Sequence, residues 1–539
     1  MATLREAGAP PAAVDPGARA GASPLDPGAV ARLVGRVVTS GTAGEHVATA
    51  PFTGAPLVAL PLSSPDDVAR AVGRARAAQA AWRRVPVRQR ARVLDRVGEL
   101  VLRRQREILD LVQLESGKAR RSAFEEVADV AQTARHYAVR GPRYLAERSE
   151  PGMLPLLTGV RVARRPVGVV GVIAPWNYPL TLALSEALPA LLAGNAVVVK
   201  PDPQTSLSAL WVAGALHDAG LPEDLFLVVA GGVEVGRAVA GEADHVAFTG
   251  STQVGREVAA AAGRRLVGAT LELGGKNALY VAADADVAAS VDGIVRACFA
   301  NAGQLCMAIE RLVLHEAVAD AFLDRFVPAV RALRLGAGLD YSADVGSLVS
   351  PAQLERVRRH VEDAVGRGAR VLAGGAHRPD VGPFFYEPTV LDGVPADALC
   401  AQEETFGPVV SVRRVACDDD AVTVMNDTPF GLSASIWSRD VARARRLAAR
   451  VEAGTVVVND GYMSAWGSTA APMGGFKASG QGRRHGREVV EAVTEAQTVV
   501  AQRGQRFGVS LDALYGLGGE APSRVLTAAM HTLRVLRRP

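Results

Sequence analysis

The segment VGVVGVIAPWNYPLTLALSEALPALLAGNAVVVKP, residues 167–201, contains the pattern that decides the fold. A β-branched run stops at Pro175, a helical stretch follows, and a second β-branched run ends at Lys200. Short strands that alternate with helices in this way are typical of a parallel, doubly wound sheet. Ligands of such sheets bind at the carboxyl ends of the strands, where the helix N-termini point. The segment therefore predicts an α/β domain with a ligand site near residues 175–177 and 200.

The same alternation continues on both sides of this segment. Strands are expected at 225–232 and 245–251, and their ends carry Gly232, Gly250 and Ser251. The loop GSTQVG resembles a phosphate-binding loop, but its GxxxxG spacing equally suits an ordinary glycine turn that opens a helix. Apolar periodicity predicts surface helices over the ranges 66–84, 88–110 and 123–139.

The second half repeats this α/β pattern and predicts a second α/β domain. ATLELGGKNALYV (269–281) is expected to form one further strand. A strand at 311–316, helices at 317–333 and 351–366, and strands within 369–375, 403–415 and 454–460 follow it. Between residues 153 and 163 short strands with a turn at Thr158 and Gly159 are expected to form an edge or a hairpin.

Length, charge and cysteine content restrict the class of protein. The 539 residues suggest two or three domains, and 60 Lys and Arg are interspersed with 56 Asp and Glu, which favours a small-molecule ligand over nucleic acid. The four cysteines lack metal-like or disulfide-like spacing, which suits the reducing cytoplasm. Residues 1–28 are rich in Ala, Pro and Gly and predict a disordered arm without an export signal. The apolar stretch 167–184 contains Pro175, Asn177 and Pro179, so we do not expect it to cross a membrane.

Two residues stand out as chemically active candidates. Cys306 ends NAGQLC, a small polar run between apolar segments, as expected where the backbone approaches a ligand closely. A buried free cysteine is otherwise most often a small hydrophobic core residue. Glu272 lies between Leu271 and Leu273 and precedes two glycines, so it is interpreted as a carboxylate near a tight turn rather than as a solvated edge residue.

Seven motifs, in order, resemble those of the aldehyde dehydrogenase family: PWNYP (175–179), VVVKP (197–201), FTGS (248–251), ELGGK (272–276), NAGQLC (301–306), EETFGPV (403–409) and PMGGFKASGQGR (472–483). The resemblance spans roughly residues 30 to 500. It implies an α/β fold with a Rossmann-type parallel-sheet cofactor domain, a second α/β catalytic domain and a β oligomerisation element. The implied ranges are 29–145 and 167–274 for the cofactor domain, 275–489 for the catalytic domain, 146–166 and 490–503 for the oligomerisation strands, and 504–539 for a tail.

The resemblance also implies a mechanism. The Cys306 thiolate attacks the aldehyde carbon, and the Asn177 amide and the Cys306 N–H stabilise the oxyanion by about 3 to 4 kcal/mol each. Glu272 deprotonates Cys306 or the water that later hydrolyses the thioester. No metal is implied. The residues implied to contact NADP or NAD are Trp176, Lys200, Gly232, Gly250, Ser251, Glu404 and Phe406.

The cofactor preference depends on one departure from the family pattern. Strictly NAD-dependent members have a glutamate three residues after the strand-end lysine, where it repels a 2′-phosphate. Pro203 occupies that position, so NADP is expected to be tolerated and is the hypothesised preference. The neighbouring Asp202 offers an alternative source of repulsion.

The substrate is predicted from a narrower likeness. KPDPQT, NAGQLCMAIERL, NDGYMSAWGSTAAPMGG and RRHG resemble an actinobacterial branch labelled NADP-dependent succinate-semialdehyde dehydrogenase. The two arginines that hold the distal carboxylate in better-characterised members are replaced by Ser185 and Ala300, which leaves Arg296 as a candidate cation. A broader aliphatic or aromatic aldehyde is the alternative, with an aromatic entrance at 462–466. A catalytically silent relative is a further alternative.

Assembly is predicted from two strands and from the C-terminal tail. Strands near Val160 and at 496–501 resemble the family's oligomerisation elements, so a homodimer or homotetramer is expected. The tail from 521 to 539 predicts a basic amphipathic helix, capped by Ser523, that docks on this subunit or on its neighbour. Attachment to an anionic membrane surface is the alternative.

Overall fold

Three β-sheets organise the chain in the computed structural model, which describes residues 25–153, 158–503 and 510–535. The first is a six-stranded sheet with the strand order Gly480–Gln481, Gly268–Glu272, His245–Thr249, Val169–Ile173, Ala196–Lys200 and Phe226–Val228. Five strands are parallel, and Gly480–Gln481 pairs antiparallel with Gly268–Glu272. The strand order reverses direction at Val169–Ile173, which places a topological switch point directly before Trp176 and Asn177.

Helices cover this six-stranded sheet. Their bounds are Pro65–Trp82, Val87–Arg103, Gln105–Ser116, Arg120–Tyr144, Pro179–Leu184, Ala187–Ala193, Ser206–Asp218, Val233–Glu242 and Thr252–Arg265. Every residue of Val169–Ile173 and Ala196–Lys200 is buried, as the continuous β-branched runs require when helices pack on both faces of a strand. The doubly wound class predicted from residues 167–201 is confirmed.

The second sheet has seven strands, in the order Arg370–Ala373, Thr389–Asp392, Val409–Val415, Ile309–His315, Asn277–Val281, Ser433–Trp437 and Thr455–Val458. All neighbours are parallel except Arg370–Ala373 with Thr389–Asp392. The accompanying helices are Val287–Phe299, Glu316–Arg331, Pro351–Gly366, Leu399–Gln402, Asp418–Asn426, Val441–Ala448 and Met463–Trp466. Glu488–Ala492 packs instead beside the six-stranded sheet, with Val489 and Val490 in its core.

The prediction of one strand over 269–281 is wrong. Gly268–Glu272 belongs to the six-stranded sheet and Asn277–Val281 to the seven-stranded sheet, so ELGGK carries the chain from one sheet to the other. A side chain at Gly274 would place a Cβ 2.5 Å from the Glu404 carboxylate, so it would displace the carboxylate that accepts from the Gly275 N–H. The boundary between domains remains a prediction.

The third sheet consists of Thr494–Gln502, Thr158–Pro166 and Arg148–Glu150, all antiparallel. Thr158 and Gly159 pair with Gln502 and Ala501 inside this ladder, so the turn predicted there is wrong. Two further small ladders pair Glu45–Thr49 with Pro56–Pro61 and Phe430–Gly431 with Phe476–Lys477.

Both ends of the described chain depart from the predictions. The arm expected over 1–28 overlaps a helix, Pro27–Val34, because Asp26 accepts a hydrogen bond from the Ala29 N–H and Pro27 suits the first helical turn. Residues 1–24 lie outside the described residues.

The helix Ala521–Val535 follows a short one, Leu511–Tyr515. Ser523 lies inside the longer helix and donates to the Glu520 carbonyl, so it is not the cap. Residues 536–539 of the predicted tail helix lie outside the described residues. In the part of the chain described, no helix combines the length and apolar content needed to cross a bilayer.

Candidate active site

Asn177 lies at the carboxyl end of Val169–Ile173 and is buried against NAGQLC. Its Nδ2 donates to the Gln304 carbonyl at 3.1 Å. Its own carbonyl accepts from Lys118 Nζ at 2.6 Å and from Asn301 Nδ2 at 3.1 Å. The structure therefore brings the predicted oxyanion donor next to the segment that carries Cys306.

The NAGQLC loop has an unusual backbone. Asn301, Ala302 and Gly303 have φ values of 51°, 54° and 70°. Left-handed conformations cost non-glycine residues roughly 1–2 kcal/mol each, so surrounding bonds must hold this loop. Gln304 supplies several of them, since its Nε2 donates to the Asn301 and Ser347 carbonyls and its Oε1 accepts from the Val349 N–H.

Cys306 is partly buried and fixed through its backbone. Asn277 Nδ2, at the first residue of a strand in the seven-stranded sheet, donates to the Cys306 carbonyl at 2.7 Å. Burial raises the pKa of the Cys306 thiol to about 12, opposed by Arg484 and reinforced by the carboxyl groups of Glu272 and Glu404. The thiol is therefore protonated at neutral pH and requires a base or an additional positive charge to react.

Glu272, the candidate base, is the last residue of Gly268–Glu272. Its side chain is buried, and neither carboxyl oxygen has a hydrogen-bond partner among the described residues. Burial raises its pKa to about 8, with Arg484 as the largest opposing charge. A carboxyl group that titrates near neutrality can both accept and return a proton in the working pH range.

Glu404 and Phe406 lie on a loop that is fastened to the seven-stranded sheet. Glu404 Oε1 accepts from the Gly275 N–H at 2.9 Å, and the Phe406 ring meets Trp176 edge-on with centroids 5.5 Å apart. The buried Glu310 carboxylate accepts from the Thr405 and Phe406 N–H groups at 2.8–3.0 Å. This fastening brings the predicted pair beside the glycines of ELGGK.

The other predicted cofactor residues lie at carboxyl ends of the six-stranded sheet. Lys200 is buried, and burial lowers its pKa. Gly232 precedes the helix Val233–Glu242, and a Cβ there would meet nothing within 4 Å. Gly250 follows His245–Thr249, and Ser251 caps the next helix by accepting from the Val254 N–H. These features fit an anionic dinucleotide: Lys200 supplies a positive charge, Gly232 leaves its backbone accessible, and two helix N-termini offer N–H donors.

The positions that bear on 2′-phosphate recognition follow Lys200. Pro203 is the first residue of the short turn Pro203–Thr205. The Asp202 carboxylate accepts from the Gln204 N–H at 3.0 Å. Asp202 therefore serves as the cap of its own turn.

Ser185 and Ala300 occupy the positions where two arginines are expected to bind the substrate carboxylate, and neither carries a positive charge. Ser185 Oγ donates to Asp129 Oδ2 at 2.9 Å. Farther out, the hydroxyls of Tyr178 and Tyr462 donate to the Glu125 carboxylate at 3.0–3.2 Å. The predicted aromatic loop thus contacts the residue that follows Asn177.

Several buried charged residues around the site were not predicted. They form three ion pairs: Lys118 with Glu126, Lys276 with Glu310, and Arg484 with Glu186. The available signal was a charged residue inside an apolar stretch, as Glu186 is, but the partners lie far apart in the sequence or on other elements.

Comparison with known proteins agrees with this geometry. Residues 38–499 match the aldehyde dehydrogenase family. The chain is 47% identical over 486 residues to a Mycolicibacterium smegmatis protein provisionally named succinate-semialdehyde dehydrogenase [NADP(+)], an alignment that covers 90% of this chain and 93% of that one. It is 36% identical to the glutarate-semialdehyde dehydrogenase of Pseudomonas aeruginosa, over 83% of this chain and 92% of the other.

Solved structures give the same result. The succinate-semialdehyde dehydrogenase of Burkholderia pseudomallei superposes with a TM-score of 0.81 at 35% identity and covers 85% of this chain and 95% of its own. An aldehyde dehydrogenase of Mycobacterium tuberculosis complexed with NAD+ gives 0.80 at 33% identity, over 86% and 95%. With a family match across most of its length and relatives well above 30% identity, this chain belongs to the aldehyde dehydrogenase family.

Proposed function

We propose that this enzyme oxidises succinate semialdehyde to succinate, with NADP or NAD as the hydride acceptor. The observation that supports the proposal is that Asn177 donates a hydrogen bond to the NAGQLC segment, while Glu272 is close enough for its charge to act on Cys306. The relatives named succinate- and glutarate-semialdehyde dehydrogenases support the substrate class. The alternative, a broad aliphatic or aromatic aldehyde, is favoured by the contact between Tyr178 and Trp466, whose ring centroids lie 5.4 Å apart.

The chain's own residues account for the covalent steps. Glu272 takes the proton of Cys306, and the sulfur attacks the aldehyde carbon to form a thiohemiacetal. Asn177 Nδ2, released from the Gln304 carbonyl, and the Cys306 N–H donate to its oxyanion. NADP or NAD, when bound, supplies the hydride acceptor. Loss of hydride from the thiohemiacetal leaves a thioester on Cys306, and Glu272 releases its first proton to solvent. Glu272 then deprotonates the water that attacks the thioester, and it passes this second proton to the departing Cys306 thiolate, which leaves the carboxylate product and the thiol.

The cofactor would be held by residues at the carboxyl ends of the six-stranded sheet. Lys200 would contact the adenosine ribose, while Ser251 and the helix N-termini that follow Gly232 and Gly250 would receive the pyrophosphate. At the other end, Glu404, Phe406 and Trp176 would orient the nicotinamide. Because Pro203 lacks a carboxylate and Asp202 caps its own turn, NADP is the proposed preference.

The distal carboxylate of the substrate needs a cation. Arg296 is the proposed one: it is exposed, and its charge acts on Glu125 and Tyr462 at the aromatic loop. We also propose a dimer or tetramer through the exposed edge strand Thr494–Gln502, and a cytoplasmic location, which the free cysteines 298, 306, 400 and 417 suit.

The deciding experiment compares kcat/KM for succinate semialdehyde, hexanal and benzaldehyde with each cofactor. We expect succinate semialdehyde with NADP to be best, and Cys306→Ala to abolish turnover. Arg296→Gln should raise KM for succinate semialdehyde about tenfold, as loss of a charged hydrogen bond would, and leave hexanal unchanged. Equal use of all three aldehydes would favour the broad enzyme, and no turnover by folded protein would favour a silent relative.

A further inference from the structure

A buried ion pair behind the catalytic residues has no part in the steps above. Arg484 is 2% exposed, and its Nε lies 2.9 Å from Glu186 Oε1, although the angles do not make this contact a hydrogen bond. The guanidinium carbon lies 5.5 Å from the centroid of the Trp466 ring. Arg484 Nη2 is buried without a hydrogen-bond partner among the described residues. Because two of its nitrogen atoms make no hydrogen bond within the part of the chain described, the Arg484 guanidinium acts on its neighbours mainly through its positive charge.

The backbone fixes Arg484 relative to the base. Arg484 and Met473 exchange two backbone hydrogen bonds of 2.8 Å. Residues between them pair with the strand of Glu272, since Gly480 lies opposite Glu272 in the sheet. A Cβ on Gly474 would lie 3.1 Å from Glu272 Oε1, so this segment is packed directly against the carboxyl group. The position of Arg484 is therefore tied to that of Glu272.

Charged and titratable groups face Arg484 from four other parts of the fold: Glu186 before the helix Ala187–Ala193, Asp129 and Tyr137 on Arg120–Tyr144, Glu272 on its strand, and Cys306 on NAGQLC. On its own segment the neighbours are Arg483 and His485, and burial holds the pKa of His485 well below its ordinary value, so this ring is neutral. Glu404 faces Cys306 from the opposite loop. Arg484 is thus the buried cation shared by the nucleophile and the base, and Glu186 is its nearest counter-charge.

We propose that Arg484 is a positioning residue that favours the ionised forms of Cys306 and Glu272, and that Glu186 limits this effect by pairing with it. A buried positive charge stabilises nearby anions more strongly than an exposed one because little water screens it. Removing the arginine and removing the glutamate should therefore have opposite effects on the thiol. The inference rests on the proposed roles of Cys306 and Glu272.

The test measures the alkylation rate of Cys306 by iodoacetamide at pH 8, in the enzyme without aldehyde or cofactor. Below its pKa a thiol reacts in proportion to its thiolate fraction, so a shift of one unit changes the rate about tenfold. We expect Arg484→Gln to slow alkylation about tenfold, Glu186→Gln to speed it, and the double variant to stay near the wild-type rate. Arg484→Lys should retain most of the wild-type rate.

Controls separate charge from structural damage. The exposed Cys417, resolved by peptide mass spectrometry in the same samples, should react equally in all variants. Arg487→Gln makes the same substitution three residues away and should leave Cys306 unchanged. If Arg484→Gln does not fold, Glu186→Gln and the neutral double variant still carry the test.

Rate changes of the same sign in both single variants, or no change, would overturn the proposal. So would a rise in KM for succinate semialdehyde alone, which would make Arg484 a substrate contact. Because the alkylation assay needs no turnover, it can fail or succeed independently of the proposed substrate.

Discussion

The buried carboxyl group of Glu272, the proposed base, has a cost in stability that depends on pH. Its burial raises the pKa from 4.5 to about 8, so the folded protein binds more protons than the unfolded chain between these values. The group's contribution to the free energy of unfolding therefore falls as pH rises from 4.5 through 8. Above pH 8 the full cost of a buried carboxylate is present.

We expect Glu272→Gln to be more stable than the wild type at pH 9, by on the order of 2–4 kcal/mol, and equally stable at pH 4.5. Thermal unfolding at the two pH values checks this. The same variant should lose about 100-fold or more in kcat, together with the rise in activity toward pH 8, because the base is gone. A stability difference independent of pH would show that the pKa of Glu272 is the same in the folded and unfolded protein, and so is not raised by burial.

Lys118 is a second residue whose role is visible only in the fold. Its ammonium pairs with Glu126 and donates to the Asn177 carbonyl, and both charged side chains are fully buried. We expect Lys118→Met to destabilise the protein by about 3–5 kcal/mol, because Glu126 is left as a buried unpaired charge. Lys477→Met, which breaks a partly exposed pair with Glu452, should cost less than about 1 kcal/mol. Similar costs in urea unfolding would contradict this reading.

Among the elements, the NAGQLC loop depends on close backbone packing. A Cβ on Gly303 would lie 2.0 Å from the Gly407 carbonyl oxygen, and its φ of 70° already disfavours other residues. Gly303→Ala should therefore separate the loop of Cys306 from that of Glu404 and reduce kcat about tenfold or more, since small misplacements at a reacting centre are costly.

Gly263→Ala is the matched control for this change. A Cβ at Gly263, within the helix Thr252–Arg265, would meet nothing within 4 Å, so the substitution should stabilise the helix by about 0.5–1 kcal/mol and leave kcat unchanged. Steady-state kinetics and thermal unfolding of both variants measure the two effects. An unchanged kcat in Gly303→Ala would mean that the two loops need not touch.

A strand or helix is predicted well from the sequence where its burial is reflected in the apolar pattern of its own residues. The strands that end at Ile173 and Lys200 consist mostly of Val and Ile because both of their faces are buried, and that pattern is local. ELGGK was misread because two strands in different sheets are both apolar, and no local property marks the change of sheet. The pairing of Arg484 with Glu186 could not be predicted, since it depends on segments almost 300 positions apart.

At the scale of the whole molecule, the strand Thr494–Gln502 has eight exposed residues after Thr494 and lies at the edge of its sheet. Val499 and Val500 are 53% and 59% exposed. Within this strand Glu495 is the one charged residue and lies at its start, so the rest of the long exposed edge carries no charge that would oppose pairing with a second copy. We expect Val500→Lys to lower the oligomer mass in light scattering, whereas Val441→Lys, on an exposed helix start, should not. An unchanged mass in Val500→Lys would place the subunit contact elsewhere.

The segment from Glu272 to Asn277 joins the six-stranded sheet to the seven-stranded sheet, so enzyme activity should be sensitive to the distance between the two sheets. Only Leu273 to Lys276 lie between the last residue of one strand and the first of the other, and Asn277 itself holds the Cys306 carbonyl. Extended chain spans at most about 3.5 Å per residue, so these four residues limit how far the two strands can move apart. Under mild urea, a small parting of the sheets would draw the base away from the sulfur while each sheet stays folded. Turnover should then be lost at a lower urea concentration than the one at which the circular dichroism signal of the folded sheets and helices changes.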